Sequence, residues 1–269
     1  MPELVEIVGG LRKGVDHPRS ASGLLMTATL TPPASAVARS NPAERLRDYL
    51  GALEFNLSLP SRIVDRILFA DNSGSDLAPL VALARATPHD KVVQLLSFEG
   101  NDHSPSLGKA YGEFKLMDHA LATTRLFTDE DRIWKVTGRL RLVNLAEISD
   151  AVPKPYDLLC DLHNLPFVGS GRLLGNRYVD LRAFAFRRRA YDVLFRSTWS
   201  AHAGEFDAGW LFDRIVHVPP TLRVIPRFPR QPWLEGISGR HGRSYSSGSQ
   251  YVKDRVRGII RRLAPSVWL

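Results

Sequence analysis

Leu24-Leu25-Met26-Thr27-Ala28-Thr29-Leu30, stopped by Pro32-Pro33, is the stretch from which the fold is read. A short apolar and β-branched run closed by two prolines is too brief for a helix and reads as a buried strand. Asn41-Pro42-Ala43-Glu44 then offers an N-cap, a proline at the first helical position and an acidic first turn. Leu46, Tyr49, Leu50, Leu53 and Leu57 follow at helical spacing as far as Pro60. The same alternation continues outward. Ile63 to Ala70 reads as strand, Leu77 to Ala86 as helix, Lys91 to Phe98 as strand, Leu107 to Thr124 as helix and Arg132 to Leu142 as strand. Strands alternating with helices at this interval specify an α/β fold with a mostly parallel, doubly wound sheet flanked by helices. After Asn144 the pattern changes, with strand-like pieces at 156–162 and 178–186 and helices over Arg188–Phe195 and Glu205–Val216.

Composition agrees with a globular chain: 269 residues, 44% hydrophobic and 24% charged. No window nears the roughly 18 uninterrupted apolar residues of a spanning helix. Residues 1–22 lack the hydrophobic run of a secretory signal and contain Gly9-Gly10, Gly14 and Pro18, so they read as a loose extension. The one cysteine, Cys160, excludes an intramolecular disulfide and a multi-cysteine zinc site. A cytoplasmic protein is expected. The net charge of +8 is placed unevenly: residues 221–269 carry ten Lys and Arg against two acidic residues, and residues 1–220 are balanced. The reading is a single domain over 23–220 with a basic C-terminal segment over 221–269. Such a segment suits an anionic partner, against the plainer reading of a solvated tail.

In open α/β sheets, ligands bind beyond the carboxyl ends of the strands. The residues just after each apolar run are therefore the candidates. Thr29 follows the first strand and Asp71-Asn72-Ser73-Gly74 the second; the latter can bond a ribose or base, or simply turn the chain. Gly108-Lys109-Ala110-Tyr111-Gly112-Glu113 opens a helix and places Lys109 at a helix N-terminus suited to an anion, although the phosphate-loop spacing is absent. In Trp134-Lys135-Val136-Thr137-Gly138-Arg139, strand geometry puts Lys135, Thr137 and Arg139 on one face. That face suits a diphosphate, with an exposed edge strand as the alternative. Late in the chain, Glu235-Gly236-Ile237-Ser238-Gly239-Arg240-His241-Gly242-Arg243 is a glycine-rich loop whose Arg240 and Arg243 could close over phosphates, or a plain linker.

These four segments, in this order, resemble bacterial glycosyltransferases with a GT-A-like fold from capsule and lipopolysaccharide O-chain assembly. Members recur with an Asp/Asn-Ser-Gly turn after the second strand and a Gly-Lys-x-Tyr-Gly-Glu helix start. They also carry a Lys-[Ile/Val]-Thr-Gly-Arg strand and a late Glu-Gly-Ile-Ser-Gly loop. The match runs over roughly residues 24–250. The resemblance implies transfer of a sugar from a nucleotide-sugar donor, a UDP-sugar, to a growing, lipid-linked surface glycan. Asp71 would lie near the nucleoside. The Lys135–Arg139 strand would stand where the Asp-x-Asp metal motif usually lies, with Lys135 and Arg139 neutralising the leaving diphosphate in place of a metal. No cofactor is then expected; Asp161 and His163, an Asp-x-His pair, read as structural or acceptor-site residues, with a divalent metal held by them as the alternative. Glu205 and Asp207, before an apolar helix, are the candidate general bases if the reaction inverts, and would equally serve as helix N-terminal charges.

Val252, Val256, Ile259, Ile260 and Leu263 fall near one helical face with Arg255, Arg257, Arg261 and Arg262 around it. That is the make-up of a helix lying on anionic lipid at the inner face of the cytoplasmic membrane, or of one packing its apolar face on the body. A non-catalytic nucleic-acid-binding protein is the runner-up function. Against it, the basic tail lacks regular aromatic interleaving and the body has no net positive charge, so no nucleic-acid partner is expected. A nucleotidyltransferase on a similar sheet is a third reading, lacking visible paired carboxylates on adjacent strands.

Overall fold

The computed structural model describes residues 3–10, 22–33, 37–165, 176–201, 208–239 and 241–264. The first half supplies strands β1 (Glu3–Val8), β2 (Ser22–Ala28), β3 (Val64–Asp71), β4 (Val92–Ser97), β5 (Arg132–Thr137) and β6 (Arg141–Leu142). Between them lie helices α1 (Pro42–Ser58), α2 (Ala78–Ala86) and α3 (Lys109–Thr123). The second half adds α4 (Leu145–Ala151), β7 (Leu158–Leu159), β8 (Leu162–Leu165), β9 (Asn176–Val179), β10 (Ala183–Arg187), α5 (Arg188–Leu194), α6 (Thr198–Ala201), α7 (Ala208–Val216), β11 (Val224–Ile225), β12 (Leu234–Glu235) and α8 (Gly248–Leu263).

Eight strands form the main sheet in the order β1-β4-β3-β2-β5-β10-β7-β11. β4, β3, β2 and β5 run parallel, as the alternating pattern predicts. β2 is buried along its whole length because both faces of the sheet are covered. On one face Met26, Ile67 and Trp134 pack with Leu53 and Leu57 of α1, Leu80 of α2 and Ile148 of α4. On the other, Leu25, Leu68 and Leu96 pack with Met117 of α3, Tyr191 of α5 and Leu211 of α7. Each such side chain removed from water contributes about 1.5–3 kcal/mol. The α1 start follows the sequence: Asn41 Oδ1 accepts the N–H groups of Ala43 and Glu44 at 2.9 and 3.4 Å, with Pro42 at the first position.

Three expectations change. The N-terminus is not a loose extension throughout, since Glu3–Val8 pairs antiparallel with β4 as an edge strand. Its Val5 and Ile7 turn inward while Glu3 and Glu6 stay exposed, a six-residue alternation with only two core contacts. The basic segment after residue 220 is partly woven into the body: β11 joins the main sheet beside β7, β12 pairs with β6, and Phe228 enters the core. The stretch 178–186 is two strands, broken where the Asp180 carboxylate accepts the Arg182 N–H at 2.9 Å and turns the chain into β10. Among the described residues no helix is long and apolar enough to cross a membrane.

Candidate active site

The strand order reverses at β2, with β3 on one side and β5 on the other. Such a switch point opens a crevice beyond the strand ends, where ligands of doubly wound sheets bind. A cavity of about 490 Å³ lies there, lined by Thr27, Thr29, Asn72, Lys109, Thr137 and Arg139 among others. Thr29, Asn72, Lys109, Thr137 and Arg139 were each singled out from the sequence, and folding brings these five to one cavity.

The loops around the cavity are held from beneath. Asp71, at the end of β3, is fully buried. Its carboxylate accepts the Leu30 N–H at 2.7 Å, the Ser73 N–H at 3.0 Å and the Ser73 hydroxyl at 2.8 Å. Burial pushes its pKa up, and the hydrogen bonds from Leu30, Ser73 and Ser75 oppose that rise without cancelling it. Asp71 therefore clamps the loops after β2 and β3 together and is not among the residues that line the cavity, a correction to its expected place in the donor site. Asn72 does line the cavity, and its Oδ1 accepts the Thr29 hydroxyl at 2.6 Å. Ser73 is occupied by Asp71 and Ser75, and Gly74 lines a neighbouring cavity.

The end of β5 divides the expected cationic face. Lys135 has no exposed surface, whereas its partner Glu113 is 24% exposed and borders the cavity. The Lys135 ammonium lies 2.6 Å from Glu113 Oε1 and donates to the Leu181 carbonyl at 2.5 Å. Glu113 Oε1 also accepts the Thr27 hydroxyl at 2.6 Å. Lys135 is thus a buried counter-ion, not a donor to a diphosphate. The alternation rule placed it on the right face of the strand, but α3 covers that face. Two and four residues further along, Thr137 and Arg139 clear the helix and reach the cavity.

Gly138 between them is required by close approach: its N–H donates to the Thr27 carbonyl at 2.8 Å, and a Cβ would fall 2.8 Å from that oxygen. Arg139 is backed by the late glycine-rich loop. Its Nε donates to the Ile237 carbonyl at 3.1 Å, and a Cβ on Gly239 would sit 2.8 Å from Nη2. That loop is tied across the opening by the Arg39 N–H, which donates to the Gly239 carbonyl at 3.2 Å. Arg243 is exposed and does not line this cavity, and Arg240 lies outside the described residues.

The first turn of α3 borders the cavity through Gly108, Lys109, Gly112 and Glu113, presenting a helix N-terminus to its interior. The sequence reading missed Arg45, Tyr49, His103 and the cavity-facing role of Glu113. Arg45 is buried at an i,i+4 position from Tyr49; its Nε donates to the Thr29 carbonyl at 2.8 Å and its Nη2 to the Tyr49 hydroxyl at 3.0 Å. An arginine on the mostly apolar buried face of a helix was the available signal. His103 lines the wall, and burial, with Lys115 adding to it, lowers its pKa and favours the neutral imidazole.

Asp161 and His163 are not an open metal site. Both Asp161 oxygens accept from Arg261 of α8, each at 2.8 Å, and His163 Nε2 lies 3.4 Å from Oδ2. These partners hold the Asp161 carboxylate far below the usual range against the opposing cost of burial. At the end of β5 the donors are a hydroxyl and a guanidinium, and the adjacent Glu113 is ion-paired. That donor set does not fit a divalent cation, and among the described residues no cluster of three His, Cys, Asp or Glu could hold one. Glu205 and Asp207 lie outside the described residues.

No protein-family model matches this sequence, and no curated protein does. Solved structures match its fold. The inositol-1-phosphate CTP transferase from T. maritima aligns with a TM-score of 0.50 at 12% identity, over 88% of this chain and 95% of that one. This chain has a GT-A-like fold. Mouse xyloside xylosyltransferase 1, in its apo form, is similar at a TM-score of 0.42 and 14% identity, over 77% of this chain and 84% of that one. The 4-diphosphocytidyl-2C-methyl-D-erythritol synthase of Anaerococcus prevotii gives 0.46 at 10% identity, over 89% and 99%. At such identities the likeness is one of fold, and what the GT-A-like sheet of this chain does has to be argued from its cavity.

Proposed function

We propose that this chain is a glycosyltransferase that moves a hexosyl or pentosyl unit from a UDP-sugar to a growing, lipid-linked surface glycan. One observation carries the reading: Arg139 and the Lys109 end of α3 border a cavity beyond the β2–β5 switch point that Thr27, Thr29, Thr137, Asn72 and Asn101 also line, beside the ion-paired Glu113 and an apolar wall of Pro32, Pro33, Val37 and Leu116. This is the complement of a nucleoside diphosphate. Thr29 and Asn72 suit the nucleoside, and Arg139, Lys109 and Thr137 suit the phosphates. The order of the four resembling motifs favours the capsule and O-chain class of acceptor.

In this reading the bond between the anomeric carbon and the diphosphate breaks as the acceptor oxygen bonds to that carbon. Negative charge then develops on the departing phosphate. Arg139, held in place by Ile237 and Gly239, is a fixed donor toward that charge and needs no reorganisation as it forms. The acceptor proton passes to a carboxylate, for which Glu205 and Asp207 remain our candidates in an inverting reaction. Glu113 is oriented by Lys135 and Thr27 and offers an acceptor oxygen at the cavity wall for a sugar hydroxyl. The chemistry proceeds without a divalent metal. The test is donor turnover across a panel of nucleotide sugars in excess EDTA. Turnover that survives EDTA and falls in Arg139→Ala supports the reading. Turnover that disappears with EDTA and returns with Mg²⁺ or Mn²⁺ contradicts the metal-free chemistry. Pyrophosphate release from a nucleoside triphosphate instead would make the chain a nucleotidyltransferase.

A further inference from the structure

Helix α8 is amphipathic the wrong way round for a helix that packs on a protein. Its contact with the body is polar: Arg261 is buried, donates to both oxygens of Asp161, and also donates to the Phe228 carbonyl at 2.8 Å. Asp254 and Arg257 pair with each other at 3.2 Å, partly buried on the same side. At about 100° per residue, Val252, Val256, Ile259 and Leu263 fall on the side opposite Arg261. All four are exposed, at 59%, 49%, 58% and 80%. The packing alternative read from the sequence therefore does not describe this helix. An ion pair turns its apolar stripe outward.

The surroundings of the stripe say what it fits. Lys253, Arg255 and Arg262 are exposed along the same helix, and its one acidic residue, Asp254, is engaged by Arg257. Beside it the Arg255 guanidinium lies over the rings of Trp233 and Tyr251, at 4.7 and 5.2 Å, and both rings are themselves more than a third exposed. Aromatic rings and basic side chains around an apolar stripe are the composition of a helix in the headgroup region of a bilayer. A second copy of the chain would bring Lys253, Arg255 and Arg262 against their own counterparts, whereas an anionic lipid surface supplies both apolar depth and negative charge.

We propose that α8 docks this protein on an anionic bilayer, with Val252, Val256, Ile259 and Leu263 in the interface and Lys253, Arg255 and Arg262 among the headgroups. The Asp161–Arg261 pair fixes the helix in the orientation that presents this face. The inference stands on the surface of α8 and is independent of the reading of the cavity. The experiment is co-sedimentation of the full chain, without donor, with vesicles of phosphatidylcholine alone and of phosphatidylcholine with phosphatidylglycerol.

Binding to the anionic vesicles only is expected, weakening with salt. The exposed-site double variant Val256→Glu/Ile259→Glu should lose more than about tenfold in affinity at unchanged Tm. Arg255→Gln and Arg262→Gln should each lose about fivefold. The proposal is overturned if the wild-type chain does not bind anionic vesicles, or if it binds neutral ones equally. Binding that the Val256→Glu/Ile259→Glu variant retains in full also overturns it. So does a lipid-free dimer that this variant converts to monomer, which would make the stripe a self-association surface.

Discussion

Asp161→Asn is expected to destabilise the chain more than any single surface change. The Asp161 carboxylate and Arg261 guanidinium are 1% and 4% exposed and meet through two 2.8 Å hydrogen bonds. Removing the negative charge leaves Arg261 with neutral acceptors only, one amide oxygen at position 161, the Phe228 carbonyl and the Gln231 side chain, and turns an NH2 donor toward the guanidinium in a site closed to water. Arg227, buried alongside, loses the same counter-charge and remains beside the Arg261 cation, which already lowers its pKa after burial. Breaking one side of a buried pair costs about 3–5 kcal/mol. For a chain of this size that is a fall of roughly 10 °C in Tm. The pH dependence has a definite sign. The folded-state pKa of Asp161 is depressed, so its contribution is complete above the ordinary carboxylate value of 3.8 and is lost progressively as pH falls below it. Thermal melts of both proteins should therefore show a constant gap at neutral and mildly acidic pH that narrows under stronger acid. The double variant Asp161→Leu/Arg261→Met should recover much of the loss, because it leaves no unpaired charge. A gap below about 1 kcal/mol at neutral pH, or one that widens on acidification, would refute the reasoning.

Arg139→Ala should lower turnover by about 10²–10³-fold, the usual effect of losing one fixed donor at developing charge, with Tm nearly unchanged; steady-state kinetics beside a melt checks both. Lys135→Met should lower stability by about 3–5 kcal/mol, because it strands Glu113, and Lys135→Met/Glu113→Gln should be the more stable of the two in denaturant titrations. Asp71→Asn, which turns an acceptor into a donor against the Leu30, Ser73 and Ser75 N–H groups, should cost about 1–3 kcal/mol and weaken nucleotide binding through the loops it holds; calorimetry on the folded variant reads the second effect.

The parallel core was legible because its buried strands are short, mostly apolar and β-branched runs. Leu24–Leu30 and Ile63–Ala70 needed no tertiary information beyond their length and their proline or Asp-Asn-Ser-Gly endings. The edge strand Glu3–Val8 was not, since an edge buries one face only and its glutamates mask the alternation. The cavity was legible to the extent that its residues follow strand ends. Which of them face inward depends on the helix above: α3 buries Lys135 and leaves Thr137 and Arg139 open, a distinction that no spacing along β5 contains. Asp71 illustrates the same point from below. Its place after β3 was read correctly, yet its hydrogen bonds to residues of two loops make it a clamp. Asp161 and His163 lie close together, but the residue that determines their role, Arg261, is one hundred positions away.

Titration of UDP and a panel of UDP-sugars into the full chain in excess EDTA, with Arg139→Ala in parallel, decides whether the cavity binds a nucleoside diphosphate through Arg139. Saturable binding of the diphosphate and of at least one donor to the wild-type protein is expected, weakened at least about tenfold in the folded Arg139→Ala variant. Absence of nucleotide binding in the wild type, or equal affinity in the two proteins, would contradict it.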